Sequence, residues 1–427
     1  MTTNKLSRIN SMADIQPFRG YRPRADRVAQ VASRPYDVIN SAEARAEAEG
    51  NPHSFLHVVK PEIDLPDHLD PYDPAVYAQA RTNFERLVHQ GDFLQDEYPC
   101  LYLYRLTWQE RSQTGLVAGA AVQDYFDGVI KIHELTRPDK EEDRKNHIRV
   151  SGILAEPVFF SYPPVPEIDD LLQQVEARPA TYDFVADDGI GHTFWVIDQP
   201  TEIEALVQLF AEKVPTTYVA DGHHRTACAA KVGREGANRT DASDPERPYH
   251  HFMAVHFPAD QLRIIDYNRL VRNLNGRDAS AFLDALKNSF QVTPHVRQYT
   301  PQARHHFSLY LDGSWYQLIA QPHTYDDQDP IRSLDVTILT EQVLQPLLGI
   351  EDLRRDNRID FVGGMRGLSE LERRVDNGEM AAAFALYPVS MDQLMAVADS
   401  GAIMPPKTTW FEPKLRSGLV VQAWRDF

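Results

Sequence analysis

The stretch Tyr218-Val219-Ala220-Asp221-Gly222-His223-His224-Arg225 decides the reading of this chain. An apolar strand end runs into Asp-Gly, then into two histidines and an arginine, then into a small-residue helix beginning TACAAK (226–231). Glycine lets the backbone turn tightly, and the first turn of a helix directs unbonded N–H groups outward. Arg225 adds a forked cation, so the segment has the chemistry of an anion site. Gly222, His224 and Arg225 are the expected phosphate contacts. Asp221 can cap the helix or hold a metal, Mg²⁺ for a phosphate site. Adjacent histidines on a helix point about 100° apart and seldom reach one transition metal together, so one of His223 and His224 is expected to contact phosphate or substrate while the other packs.

Upstream lies Lys131-Ile132-His133-Glu134-Leu135-Thr136-Arg137-Pro138, followed by Lys140, Asp143, Arg144 and Lys145. A carboxylate at a strand end beside several cations suits a general base next to a phosphate pocket. Glu134 is the expected base and Arg144 a phosphate contact, with His133 and Thr136 on the substrate side. Near the C-terminus, Met404-Pro405-Pro406-Lys407-Thr408-Thr409-Trp410-Phe411-Glu412-Pro413-Lys414 is stiff, bulky and supplied with donors, which predicts a docked tail with Lys407 offered to an anion. Arg34-Pro35-Tyr36-Asp37-Val38-Ile39 and Asp360-Phe361-Val362-Gly363-Gly364 are weaker signals, and the second lacks the spacing of a common nucleotide loop.

Around these motifs, short strands and helices alternate without strict βαβ repetition, which predicts an α+β fold with mixed sheets. Strands are expected at 100–108, 115–125, 156–162, 192–198, 250–258, 262–271 and 381–389, and a hairpin at 306–319 around Asp312-Gly313. Helices are expected at 73–91, 141–148, 169–175, 202–212, 278–290 and 334–348. The polar stretch 236–244 (GANRTDASD) predicts an exposed loop. Three regions follow: an N-terminal α/β region at 1–110, a core at 111–272 carrying both charged motifs, and a C-terminal α+β region at 273–427. The motifs run from Arg34 to Lys414, which fits one integrated body.

The 427 residues carry a net charge of −18, so the long-range field repels nucleic acid and anionic membrane. Two cysteines build neither a disulfide framework nor a four-cysteine zinc site. No apolar run is long enough to span a bilayer, and the N-terminus lacks a signal-peptide core, so a soluble cytoplasmic protein is expected.

On the pieces RPYDVI (34–39), NPHSFLHV (51–58), HELTRPDKEEDR (133–144), YVADGHHR (218–225) and MPPKTTWFEPKLRSGLV (404–420), nearly the whole chain resembles the family of unknown function catalogued as domain 1015. That label implies no activity. The DGHHR core is similar to the Asp/Gly-x-His-Arg signature of the ParB and sulfiredoxin superfamily, whose strand-turn-helix holds nucleotide phosphates. Its free-serine kinases carry a closely similar Asp-Gly-His-His-Arg and an upstream glutamate proposed as base. The resemblance implies a ParB/sulfiredoxin-like core with added N- and C-terminal elements, in which Asp221 and His223 act with Glu134 in catalysis. The implied activity is transfer of a phosphoryl group from ATP or ADP, with Mg²⁺, to a small hydroxyl acceptor such as L-serine. A nucleotide-binding regulatory module without turnover and a phosphate-ester hydrolase stand as alternatives. The expected partner is a small-molecule substrate, with no nucleic acid and no membrane, and homo-oligomerisation is left open.

Overall fold

A computed structural model describes residues 12–239, 248–425 and 427. The architecture is α+β with mixed sheets, in two compact units: Met1–Leu262 with Pro413–Phe427, and Arg263–Glu412. Among the described residues no helix is long and apolar enough to cross a membrane.

The first unit is built on a nine-stranded sheet. Its strands are β1 (Ile15–Gln16), β2 (Leu101–Trp108), β3 (Arg111–Ala121), β4 (Ile130–Lys131), β5 (Val158–Tyr162), β6 (Tyr182–Val185), β7 (Gly191–Ile197), β8 (Thr217–Asp221) and β9 (His251–Pro258). They lie in the order β4-β8-β5-β9-β3-β2-β7-β6, with β1 on β3. Two neighbour pairs are parallel, β4 with β8 and β5 with β9, and the rest are antiparallel. β2 and β3 form a hairpin, joining residues on either side of position 110. The small residues of β3 follow from crowding by β9. A Cβ on Gly115 would lie 2.6 Å from Val255 Cγ1, and one on Gly119 2.9 Å from His251 Cβ.

The longest helices of this unit are α1 (Pro74–His89), α2 (Pro138–Ser151), α3 (Pro166–Glu176), α4 (Pro200–Lys213) and α5 (His223–Arg239). Asp73 caps α1 by accepting from Ala75 N, with Pro74 in its first turn. Ile168, Leu172, Leu206 and Phe210 of α3 and α4 pack with Leu116, Ala118 and Tyr162 of the sheet. Ile148, Cys228, Ala229 and Val232 of α2 and α5 pack with Ala120, Val158 and Phe160. These strand positions share one parity in β3 and one in β5, so α2 to α5 line a single face of the sheet.

The second unit is a six-stranded antiparallel sheet of β10 (Tyr267–Val271), β11 (Phe290–His295), β12 (His306–Leu311), β13 (Ser314–Ala320), β14 (Ile359–Gly363) and β15 (Ala382–Leu386), ordered β11-β13-β12-β15-β10-β14. The β12–β13 hairpin turns at Asp312 and Gly313, both at positive φ, as the Asp-Gly pair predicts.

Several elements differ from the sequence reading. β3 ends at Ala121, and residues 122–127 are helical rather than extended. Strand β10 starts only at Tyr267. The segment after Leu334 makes one short α-helix and then a π-turn at Thr340–Leu344 instead of a continuous helix. α5 runs through Gly236 to Arg239, and the rest of the polar stretch, from 240, lies outside the described residues.

Phe160 is fully buried on β5, between β8 and β9, with its ring near Phe252 and His256. Phe160→Ala is therefore expected to cost about 3–5 kcal/mol in a urea unfolding experiment. A loss below about 1 kcal/mol would contradict its place at the centre of this layer.

Candidate functional site

The site forms because β4 and β8 are parallel, with Ile130 opposite Thr217 and Lys131 opposite Tyr218. Parallel neighbours leave a sheet at the same end, so the turn 132–137 emerges beside the DGHHR turn. β5 is antiparallel to β8, so its approach through Glu156 and Pro157 reaches that same end. An irregularity between Val219 and Asp221 re-aims the last residue of β8. The 3₁₀ turn Tyr36–Val38 and the returning tail at Lys414 complete the surroundings.

Gly222 makes the turn at φ +86°, and a Cβ there would lie 3.1 Å from Arg225 Cζ and Nε. The positive φ favours glycine, and the nearby guanidinium would crowd any side chain there. Arg225, 7% exposed, donates from Nη1 to Pro157 O at 2.7 Å. Its Nη2 reaches Asp221 Oδ2 at 3.2 Å and Asp37 Oδ2 at 3.3 Å. Burial opposes its charge, but Asp37, Asp221 and Glu156 outweigh burial and hold the guanidinium firmly protonated. Lys414 Nζ lies 3.3 Å from Asp221 Oδ1. Burial pushes the Asp221 carboxyl up, and Lys414 and Arg225 more than reverse this, leaving it at about 2. Glu156 accepts from Tyr36 N at 2.8 Å and from Ser417 Oγ at 3.3 Å; burial raises its pKa against the pull of Arg225. Arg144, His147, Glu156 and Arg225 line a cavity of about 30 Å³. That is room for about one water, not for a nucleotide.

Three histidines join the two turns. His133 N donates to His223 Nε2 at 3.5 Å, and the two rings meet edge to face with centroids 4.3 Å apart. Arg137 N donates to His224 Nε2 at 2.9 Å. Each accepting Nε2 places that ring's proton on Nδ1. Burial lowers His133 to about 4 against the pull of Asp221, and lowers His223 well below its usual value with His133 adding to the effect. Neutral imidazoles therefore face the turn at pH 7.

Thr136 Oγ1 donates to Glu141 Oε2 at 2.6 Å, and Lys231 Nζ holds the other oxygen at 2.6 Å. Thr136 thus secures the start of α2 to α5. Arg144 stacks over the Tyr36 ring at 4.2 Å and pairs with Asp143, which accepts from Tyr77 Oη at 3.0 Å. Glu134 sits half-buried in the turn next to His133. The first unit therefore gathers His133, Glu134, Thr136, Arg144, Asp221, Gly222, His223, His224 and Arg225. Lys407 belongs to the second unit, where its carbonyl accepts from Arg269 and its ammonium lies over the Tyr267 ring.

Asp37, Glu156 and Lys414 are partners that motif reading did not single out. Asp37 lay in the weak RPYDVI signal. Lys414 lay seven residues beyond the favoured Lys407, and Glu156 was read only as the start of a strand. A resident Mg²⁺ on Asp221 does not fit, because Lys414 and Arg225 each occupy one of its oxygens. Among the described residues no group of three or more His, Cys, Asp or Glu side chains is placed to hold a metal.

The strand-turn-helix with its buried arginine belongs to an α+β protein with mixed sheets. The chain belongs to the family described as Protein of unknown function (DUF1015), whose model matches residues 15–337. No curated protein matches it by sequence. Among solved structures it is similar to a free serine kinase variant in complex with AMP, at 12% identity and TM-score 0.36, covering 71% of this chain and 91% of that one. It is similar to a conserved hypothetical protein from Pyrococcus furiosus at 13% identity and TM-score 0.34, covering 70% and 91%. It is also similar to SbnI with a C-terminal truncation from Staphylococcus aureus at 12% identity and TM-score 0.32, covering 71% and 85%.

His133 and His147 both fall from the ordinary 6.5 to about 4, chiefly through burial. Between those values the unfolded chain binds more protons than the folded one. Stability from these groups is therefore complete above about 6.5 and declines as pH falls toward 4. The urea midpoint should be lower at pH 5 than at pH 7.5, and His147→Asn should flatten part of the difference. Equal midpoints at the two pH values would show that these imidazoles are not buried in their neutral form.

Proposed function

We propose that this protein is a phosphotransferase that moves the terminal phosphoryl group of ATP or ADP to the hydroxyl of a small acceptor, with free L-serine the first acceptor to test. One observation carries the reading: the parallel pairing of β4 with β8 sets the Glu134 turn against the DGHHR turn, two segments far apart in sequence. The acceptor hydroxyl attacks the terminal phosphorus, its proton passes to Glu134, and the bond to the leaving nucleotide oxygen breaks. Such transfer depends on positioning and charge neutralisation more than on covalent steps. The first N–H groups of α5 and the ammonium of Lys414 face the phosphates. Arg225 acts as a positioning residue that keeps Asp221 and the turn in place. Magnesium enters as part of the nucleotide substrate.

A nucleotide-binding module without turnover is the second reading. Its specific support is that both Asp221 oxygens and both terminal nitrogens of Arg225 already have protein partners. Incubation with ATP or ADP and Mg²⁺, with and without serine and other hydroxy compounds, separates the readings. Acceptor-dependent phosphorylated product supports transfer. Nucleotide binding without product supports the module, and free phosphate alone supports a hydrolase.

Glu134→Gln keeps the shape of the side chain and removes the proton acceptor. Turnover should fall roughly 10²–10⁴-fold while nucleotide affinity changes by only a few fold. Near-normal turnover in this variant would eliminate Glu134 as the base.

A further inference from the structure

Arg269, on β10 of the second unit, is the largest fully buried side chain of the described residues, 1% exposed. Three other arginines are buried among the described residues, and each meets a carboxylate: Arg225 with Asp37 and Asp221, Arg374 with Asp360 and Glu379, and Arg416 with Asp188. Arg269 meets none. Its Nη1 donates to Tyr267 O and its Nη2 to Lys407 O at 2.9 Å, while its buried Nε has no acceptor. The Phe361 ring lies 5.6 Å from its guanidinium. Burial lowers its pKa to about 10, with no carboxylate opposing the shift. A buried, uncompensated guanidinium is costly, and main-chain carbonyls offset that cost only in part.

The residue that supplies one of those carbonyls carries a second cation. Lys407 is exposed, its ammonium lies 5.7 Å from the centre of the Tyr267 ring, and its own carbonyl is the acceptor for Arg269. Lys407 holds φ +60°, the left-handed region that a non-glycine residue adopts at a cost. Downstream, Trp410 packs on Gly363, where a Cβ would come within 3.1 Å of its ring. The loop 404–410 is thus clamped on the DFVGG segment and closes over Arg269 with one strained residue.

We propose that the second unit contains an oxyanion-binding site in which a small molecule bearing a carboxylate or phosphate replaces the Lys407 carbonyl on Arg269 and takes the Lys407 ammonium as its second cation. The planar fork of Arg269 suits either group. The proposal does not rest on the phosphoryl-transfer reading.

The test is calorimetric titration of the full chain with inorganic phosphate and, separately, with acetate, at constant ionic strength. Saturable binding of at least one is expected, and whichever binds tells phosphate from carboxylate. Lys407→Ala, at an exposed position, should weaken it about tenfold or more, and Arg269→Met should abolish it. If Arg269→Met does not fold, hydrogen exchange of residues 404–410 in the wild-type chain takes its place, and a change on adding the bound anion is expected. Absence of binding by both anions overturns the proposal, as does binding that Lys407→Ala leaves intact. Binding lost in Arg225→Lys but retained in Lys407→Ala belongs to the DGHHR turn and likewise overturns it.

Discussion

The first unit depends on the neutralisation of one buried charge. Arg225 cannot shed its proton at any ordinary pH, so its guanidinium must meet acceptors inside the protein. It finds them on stretches far apart in the chain: Asp37 near the N-terminus, Pro157 at the entry to β5 and Asp221 at the end of β8. Asp221 then binds Lys414, which ties the returning tail to the same point. Removing one member of such a network costs about 3–5 kcal/mol, because it leaves a buried charge uncompensated. The turn is therefore held from several directions before any ligand arrives.

The same network limits what the turn can do unaided. The terminal nitrogens of Arg225 and the oxygens of Asp221 have protein partners, and the adjoining cavity of about 30 Å³ admits little more than a water. The neighbouring turn that carries Glu134 stands beside the DGHHR turn through the parallel pairing of β4 with β8. Neutral histidines suit this arrangement. They brace two main-chain segments by accepting from His133 N and Arg137 N, and they add no positive charge beside Arg225. Arginine burial is solved in two ways, with carboxylates around Arg225 and Arg374 and with carbonyls and an aromatic face around Arg269.

Much of the architecture was legible in local pattern. Alternation around Asp312-Gly313 marks the hairpin, and the Asp73-Pro74 pair starts α1, because turn and cap chemistry act within a few residues. The small residues of β3 fit the crowding that β9 imposes. Local pattern failed where packing overrode it. Residues 122–125 follow β3 without a turn residue yet form a helix whose Val122 packs with α5. The apolar periodicity after Leu334 persists while the backbone loosens into a π-turn.

By itself the sequence determined that a strand turns through Asp-Gly into a helix at 218–225, that the fold is α+β, and that a charged segment with a strand-end glutamate lies upstream. Each of these is written in neighbouring residues. Only the tertiary structure decided which groups share a site. The parallel register of β4 and β8 brought His133 and Arg137 to His223 and His224. The burial of Arg225 recruited Asp37 and Glu156 and set the tail's Lys414, rather than Lys407, beside Asp221. Charge compensation and strand pairing act through space over distances in sequence that no local spacing encodes, and a lone Asp37 or Glu156 carries no mark of the guanidinium it will meet.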